Sequence, residues 1–357
     1  MSSVTSSFRN YHIDARLEGA SLSQALKQLV PDTSWSVAKK LIANRHVQVH
    51  GNLCLEEGRR LKEGDVIKVW AEPLGKPPAA EDLVIVFRDA HLIVIDKPAG
   101  ITTQREARES SAGRNQKQAT LDELVQQAIA RLPRVQPDAG SDPPAQRAAS
   151  EDFIVKRRAP IERITSHKPS LVKVRPVHRL DRDTSGLIVF ALSPEAEQKL
   201  ASMFKAHTIQ RAYRAVVVGN LRDAMKIESE IARDRGDGLR GSSDDPKAAD
   251  RQHAVTYVRP LEHIRDVYTI VECRLETGRT HQIRIHLAER GHMLCGEKTY
   301  TKPLGGNPVR DESDAPRHAL HSATLTFAHP IGGKPMKFES PWPRDLTRWL
   351  ERLRATS

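Results

Sequence analysis

The run HRLDRDTSG, from His178 to Gly186, sets two carboxylates among three basic side chains directly ahead of an apolar stretch, LIVFAL. Asp181 and Asp183 form a D-x-D pair with His178 three residues upstream of the first. Three chemistries fit such a run. Paired carboxylates suit a hard cation, but Arg179 and Arg182 would repel one, and we assign no metal. A solvated turn is the second reading. The third is an aspartate kept ionised by a guanidinium and poised as nucleophile or base. That reading requires a cationic partner from elsewhere in the fold.

A second arginine-rich stretch, ETGRTHQIRIHLA, offers one. Gly278 permits a tight turn from strand into helix, so that Arg279 emerges at the helix N-terminus with Thr280 as its cap. Backbone N–H groups there suit a phosphate or carboxylate. His281 and His286, five residues apart, lack the four-residue spacing of a helical metal pair; packing and surface contact are their reading here.

Elements must carry these residues. Leu22, Leu26 and Leu29 recur at helical spacing behind Ser21 as cap. A second helix, SWSVAKKLIANR, turns Val37, Leu41 and Ile42 inward and Lys39, Lys40 and Arg45 outward. VQVHGN and LKEGDVIKVW read as short strands with turns at Gly51-Asn52 and Gly64-Asp65. LGKPPAAED is a Pro-rich linker. Beyond it LVIVF, LIVID, LIVFAL, YRAVVVG, HAVTYV and VYTIVECRL read as strands. TLDELVQQAIARL, SPEAEQKLASMFKAH, GRTHQIRIHLAERG and residues 345–353 read as helices. Polar, low-complexity loops are expected near 104–119, 131–174, 232–252 and 301–316. The fold class is α+β, with a small N-terminal domain over 1–75 (core 13–70) and a larger domain over 76–357 on a mixed, largely antiparallel sheet.

Composition narrows the partner. Among 357 residues, 56 Lys and Arg face 45 Asp and Glu, a net charge of +11 that favours an anionic partner. Aromatics make up 4 % of the chain, which argues against broad base-stacking platforms. Three scattered cysteines, Cys54, Cys273 and Cys295, form no CxxC pair and suit a reducing, cytoplasmic setting. No signal peptide and no apolar run of about 20 residues is present, so no membrane role is expected. No GxxxxGK[ST] phosphate loop occurs, and the GDGLRG run at 236–241 falls in a polar loop stretch rather than in a strand-to-helix dinucleotide loop.

VHRLDRDTSGLIVFA resembles the central signature of the RluA family of pseudouridine synthases. DKPAGI, QRAYRAVVVG, LETGRTHQIRIHLAERGH and RHALHSATLTFAHP fall in that family's order. ARLEGASLSQAL, LIANRHVQVHGN and LKEGDVIKVW resemble the alpha-L RNA-binding module of its ribosomal members. The resemblance covers most of the chain outside the loops. It implies isomerisation of uridine to pseudouridine in RNA, without a cofactor, by a protein acting as a monomer. Asp181 is then the catalytic carboxylate, Arg279 its basic partner, and Tyr213 the tyrosine that stacks on the target base. Arg179 matches the arginine that enters the RNA stack when the uridine flips out. His178, Lys39, Lys40 and Arg45 are expected RNA contacts. Ribosomal RNA of the large subunit is the leading substrate. Transfer RNA, or a non-catalytic ribosome-assembly role, are the alternatives. Two departures stand out: TTQRE follows KPAGI where the family often has a His-Pro pair, and Glu297 in GEKTY stands where an Asp is usual.

Overall fold

The computed structural model describes residues 8–49, 52–71, 73–74, 76–105, 118–132, 153–154, 173–235 and 239–355. Gly51, and most of the polar stretches 104–119 and 131–174, lie outside them. Two compact units divide the chain, one comprising Met1–Pro77 with Ala107–Ala119 and the other Pro78–Glu106 with Thr120–Ser357.

In the first unit Ser21 Oγ accepts the Gln24 N–H at 3.2 Å and starts helix α1 (Leu22–Leu29). Ser34 does the same for Val37 at 3.3 Å at the head of α2 (Trp35–Ala43). Such caps satisfy N–H groups that the first helical turn leaves without partners. The buried stripe of α2 is Ala38 and Ile42, whereas Val37, expected inside, is 41 % exposed. One residue step turns a helix by about 100°, which carries Val37 off the stripe. Strands β1 (Phe8–His12), β2 (Val47–Val49), β3 (Asn52–Leu53) and β4 (Val66–Trp70) form an antiparallel sheet in the order β1-β4-β2-β3. Strand β1 was not expected from the sequence, because FRNYH alternates weakly. It forms by pairing Phe8 to His12 along Trp70 to Val66. Leu22, Leu26, Ile42, Val47, Val49, Leu61 and Ile67 share one core.

The second unit is built on one large sheet. Its strands are β5 (Val84–Arg88), β6 (Leu92–Lys97), β7 (Phe153–Ile154), β8 (Arg175–Pro176), β9 (Ser185–Ala191) and β10 (Gln210–Val218), then β11 (Met225–Ala232), β12 (Gly241–Ser242), β13 (Gln252–Ile264), β14 (Tyr268–Leu275), β15 (Leu320–Ala328) and β16 (Pro335–Glu339). Their main order is β12-β11-β13-β14-β10-β15-β9-β6-β5. Most pairs are antiparallel; β15 with β9 and β16 with β7 are parallel. β12 falls inside the stretch 232–252 expected as loop, where it pairs with the end of β11. Helices α3 (Leu121–Ala130), α4 (Pro194–Lys205), α5 (Gln282–Glu289) and α6 (Arg344–Ala355) accompany the sheet. α4 packs Ala196 and Leu200 onto Leu187, Val189 and Phe338. α6 places Leu346, Trp349 and Leu350 against Val216 and Ile270. α5 sets Ile285 and Ala288 against Ile231, Ala254 and Met293.

Two irregularities interrupt the middle of this sheet, both at β15. β9 meets β15 over just two pairs, His321 with Ser185 and Ser322 with Gly186. Gly186 has φ +109°, and a Cβ there would collide with the Ser322 backbone. Glycine is therefore required where the charged run enters the sheet. On the other side of β15, the register with β10 slips between Ala212 and Tyr213. A bulge of this kind re-aims a side chain, and here the residue beside it is Tyr213.

Candidate active site

The charged run forms a turn, with Thr184 N–H donating to Asp181 O at 3.1 Å. Its backbone is held from three sides. Lys97, 1 % exposed at the end of β6, donates from Nζ to the carbonyls of Arg182 at 2.9 Å, Thr184 at 2.7 Å and Pro98 at 3.1 Å. Burial pulls the Lys97 ammonium down to about 7, with Asp183 and Asp181 opposing that pull and Arg317 and Arg182 adding to it. Gly100 N–H donates to Arg182 O at 2.9 Å. Thr103 Oγ1 donates to Leu180 O at 2.8 Å and accepts the Leu180 N–H at 3.1 Å. Thus the TTQRE departure leaves a threonine that braces the residue before Asp181. From the far side Arg317 Nη1 donates to Asp183 O at 2.8 Å, and its Nη2 donates to Ser185 Oγ at 3.0 Å.

The two carboxylates of D-x-D go to different cations. Asp183 is gripped by its neighbour, Arg182 Nε and Nη2 lying at 3.1 and 3.0 Å. Asp181 Oδ2 accepts from Arg284 Nη1 at 3.2 Å. The other oxygen, Oδ1, faces His281 Nε2 at 3.9 Å. The Asp181 side chain keeps 18 % of its surface exposed, so the site opens outward. Burial by itself would raise the Asp181 pKa, yet it is lowered, with His281, Arg284 and His318 opposing the burial. Of these three, Arg284 carries the charge at neutral pH. Burial holds His281 below its ordinary value and His318 down to about 4.

Arg284 replaces Arg279 as the partner expected from sequence. Arg279 turns away, with Nε donating to His253 O at 2.9 Å. The reason is the helix start. α5 begins at Gln282, and its N-cap is His281 at φ +60°, not Thr280. The Gln282 amide fastens this turn, accepting from Thr277 Oγ1 at 2.8 Å and Arg279 N–H at 2.9 Å. It also donates to Val255 O at 2.9 Å. Gly278 lies against the Arg211 guanidinium, and a Cβ there would require that side chain to shift. Arg284 then lies within a helix whose residues are all buried. It meets Glu297 through two bonds, Nε to Oε2 at 2.7 Å and Nη2 to Oε1 at 2.8 Å. Burial would raise the Glu297 pKa, but Arg284 brings it down to about 2. Glu297 Oε1 also accepts the N–H groups of Lys298 at 3.0 Å and Thr299 at 2.9 Å. The Tyr300 ring lies 5.2 Å from the guanidinium carbon, and its hydroxyl lies 2.7 Å from His281 Nδ1.

Tyr213 is 6 % exposed and within hydrogen-bonding reach of Ser322. Burial raises its pKa, with Arg211 pulling it down and Asp181 adding to the rise. Tyr213 thus belongs to the same neighbourhood as Asp181. His178 is used inside the protein. Its Nε2 accepts the Val189 N–H at 3.0 Å, its ring stacks on Phe204 at 4.5 Å, and burial holds it neutral with a pKa of about 3. These contacts turn one His178 ring face and its Nε2 to the protein interior, the place the structure gives this expected RNA contact. Arg179 is exposed. In the first unit Lys39 lies 3.3 Å from Glu57, Lys40 is exposed, and Arg45 Nε donates to Leu74 O at 3.0 Å.

A partly buried carboxylate, held ionised by a guanidinium that is itself held by a second carboxylate, is an arrangement that can serve a nucleophilic or basic aspartate. Residues 149–289 match the family model described as RNA pseudouridylate synthase. The chain is 31 % identical to the ribosomal large subunit pseudouridine synthase D of Escherichia coli O157:H7, covering 94 % of this chain and 91 % of that one. It is 30 % identical to the protein of the same name from Zymomonas mobilis, covering 86 % and 85 %. A solved structure of human RNA pseudouridylate synthase domain containing 4 shares the fold, with a TM-score of 0.51 at 18 % identity over 76 % of this chain and 92 % of that one. The chain belongs to the RluA family of RNA pseudouridine synthases and is an isomerase that converts uridine to pseudouridine.

Proposed function

We propose that this enzyme acts on uridines of large-subunit ribosomal RNA, with Asp181 as its catalytic carboxylate. The observation that carries the reading is the lone Nη1 contact from Arg284 to Asp181 Oδ2, which keeps the aspartate charged and leaves Oδ1 open to a substrate. The reaction breaks the N1–C1′ bond, turns the base, and joins C5 to C1′. C5 loses a proton and N1 gains one, so no redox partner is consumed. An ionised carboxylate can attack C1′, add to the uracil ring, or remove a sugar proton. Tyr213 stacks on the everted base, and Arg179 fills the gap it leaves in the RNA.

The names of the relatives support the ribosomal substrate. The basic surface supports it too, since the phosphate backbone supplies most sequence-independent affinity. In the first unit Lys39, Lys40 and Lys27 with Trp35 provide cations and an exposed aromatic on α1 and α2. We assign that unit to backbone binding.

The test is pseudouridine mapping of ribosomal and transfer RNA in a strain lacking the protein, complemented by wild type or by Asp181→Asn. Loss of sites in large-subunit RNA, restored by wild type alone, is expected. Sites lost in transfer RNA instead would reassign the substrate. Restoration by Asp181→Asn would remove the catalytic role of that carboxylate.

A further inference from the structure

Asp181 and His281 bracket a gap. Oδ1 and Nε2 stand 3.9 Å apart, too far for a direct hydrogen bond. The histidine side chain is 33 % exposed, so this gap is reached from outside. The ring is fixed at its other nitrogen, where Nδ1 lies 2.7 Å from the Tyr300 hydroxyl. It is also fixed through the backbone, because His281 occupies the left-handed position that caps α5. Left-handed backbone in a non-glycine residue beside a reactive group points to function.

The tautomer is set by the neighbours. Burial raises the Tyr300 phenol to about 12, so it keeps its proton. Asp181 is ionised and can only accept. A single arrangement serves both. Tyr300 O–H donates to Nδ1, and the imidazole proton sits on Nε2 and points toward Asp181. The reverse tautomer would turn a lone pair toward a carboxylate. The charged groups around the ring are Asp181, Arg284, Glu297 and Arg179. From sequence, His281 reads as packing and surface contact.

Resting on the proposed function, we propose that His281 is a further catalytic residue, whose Nε2–H hydrogen-bonds a carbonyl oxygen of the uracil as the base detaches. When the N1–C1′ bond breaks, its electron pair leaves with the base. The negative charge spreads over N1 and the two carbonyl oxygens. Asp181 meets the electron-poor sugar on one side of the gap, and His281 meets the electron-rich base on the other. No proton changes hands with His281, so Tyr300 need not ionise. A neutral imidazole kept from protonation is well suited to this, because a donor aimed at developing charge stabilises the transition state most.

The experiment is single-turnover consumption of uridine, and of 5-fluorouridine at the same position, in a substrate RNA. The enzymes are wild type, His281→Ala, His281→Gln and Tyr300→Phe, with RNA affinity and thermal midpoint measured alongside. Fluorine makes the uracil anion more stable, so the detaching base needs the donor less. His281→Ala is expected to slow uridine by about 10²–10³-fold, the usual cost of one such donor, with unchanged RNA affinity. Its penalty on 5-fluorouridine should be smaller by about tenfold, one step of transition-state stabilisation. His281→Gln, which keeps an amide N–H, should recover part of the rate, and Tyr300→Phe should fall between wild type and His281→Ala. Equal penalties on both substrates, or a loss under about threefold, would overturn the assignment. If His281→Ala fails to fold, the same comparison read on His281→Gln decides it: a rate loss equal on the two substrates overturns the role. Wild type that forms no pseudouridine in any ribosomal RNA fragment would instead defeat the proposed function.

Discussion

Within residues 8–74 the buried positions are apolar apart from Ser23, and Lys39, Lys40 and Arg45 lie at or near the surface. From residue 78 onward the interior also takes in Lys97, Arg211, Arg284, His286, Glu289, Glu297, His318 and His321. The first unit has an almost wholly apolar core, and its charged side chains lie at or near the surface. The second unit places charge where removal from water is costly. A buried cation and its counter-charges must then be fixed together, and a fixed field around one carboxylate is what catalysis needs.

The sharpest way to break that contrast is Asp181→Asn. Neutralising the carboxylate should cut pseudouridine formation by at least about 10³-fold, as removal of a residue central to chemistry does. Stability should change by no more than about 2 kcal/mol, because Arg284 keeps both bonds to Glu297. Rapid-quench assay of the product and urea unfolding check the two halves. A variant that unfolds outright would mean that Asp181 is a structural counter-ion rather than the reacting group.

Glu297→Ala probes the buried pair itself. It leaves the Arg284 guanidinium with Asp181 as its one carboxylate partner among those described and deprives Lys298 and Thr299 N–H groups of their acceptor. Removing one partner of a buried pair costs about 3–5 kcal/mol, so the urea midpoint should fall steeply. Glu297→Asp, one methylene shorter, should be the milder change. Tolerance of alanine within about 1 kcal/mol would mean that water or a neighbouring group rescues the guanidinium, and that the pair is not fixed by burial.

The site was legible in one residue and ambiguous in its partner, for a physical reason. Asp181 stands in a charged run that abuts apolar sequence, and that conflict is local enough to see. GRTHQIRIH offered two arginines, and choosing Arg279 assumed that the helix opens at Thr280. Left-handed His281 delays it to Gln282, which no periodicity announces. A better signal was present. Arg284 lies among Ile283, Ile285, Leu287 and Ala288, so a cation there had to be buried and paired. Glu297 was visible as a departure, but its reach across 13 residues to Arg284 is tertiary. In the fold, the periodic helices α1 and α4 and the continuous apolar run of β9 were readable. β1 and β12 were not, because both depend on a neighbour's hydrogen bonds rather than on their own pattern. β15, quoted only as a motif, is where Gly186 and the bulge beside Tyr213 converge.

Acid titration sharpens the same contrast with a smaller effect. Glu297 is brought from the ordinary 4.5 to about 2. For a carboxylate with a lowered folded-state pKa, the unfolded chain binds the proton first. Stability is therefore fully present above about pH 4.5 and is lost as pH falls toward 2, by about 3 kcal/mol at most. Urea midpoints at pH 6, 4 and 3 should drop in wild type, and less so in Glu297→Gln. Parallel curves for the two proteins would assign the acid sensitivity to other carboxylates.

The gentlest perturbation belongs to the first unit. Lys39 pairs with Glu57 at 3.3 Å with about half of each side chain exposed, 55 % and 53 %. Exposed pairs of this kind contribute roughly 0–1 kcal/mol to folding, so Lys39→Ala with Lys40→Ala should leave the thermal midpoint nearly unchanged. If these cations meet RNA phosphates, each phosphate no longer neutralised makes the slope of log K against log salt shallower by about 0.7–0.9. The double variant should therefore bind ribosomal RNA fragments more weakly at low salt, with a slope shallower by about 1.4–1.8. Turnover of a short saturating substrate should stay at the wild-type rate, since Asp181, Arg284 and Glu297 are untouched. An unchanged salt slope would return Lys39 and Lys40 to the ordinary solvated surface and leave RNA affinity to the second unit.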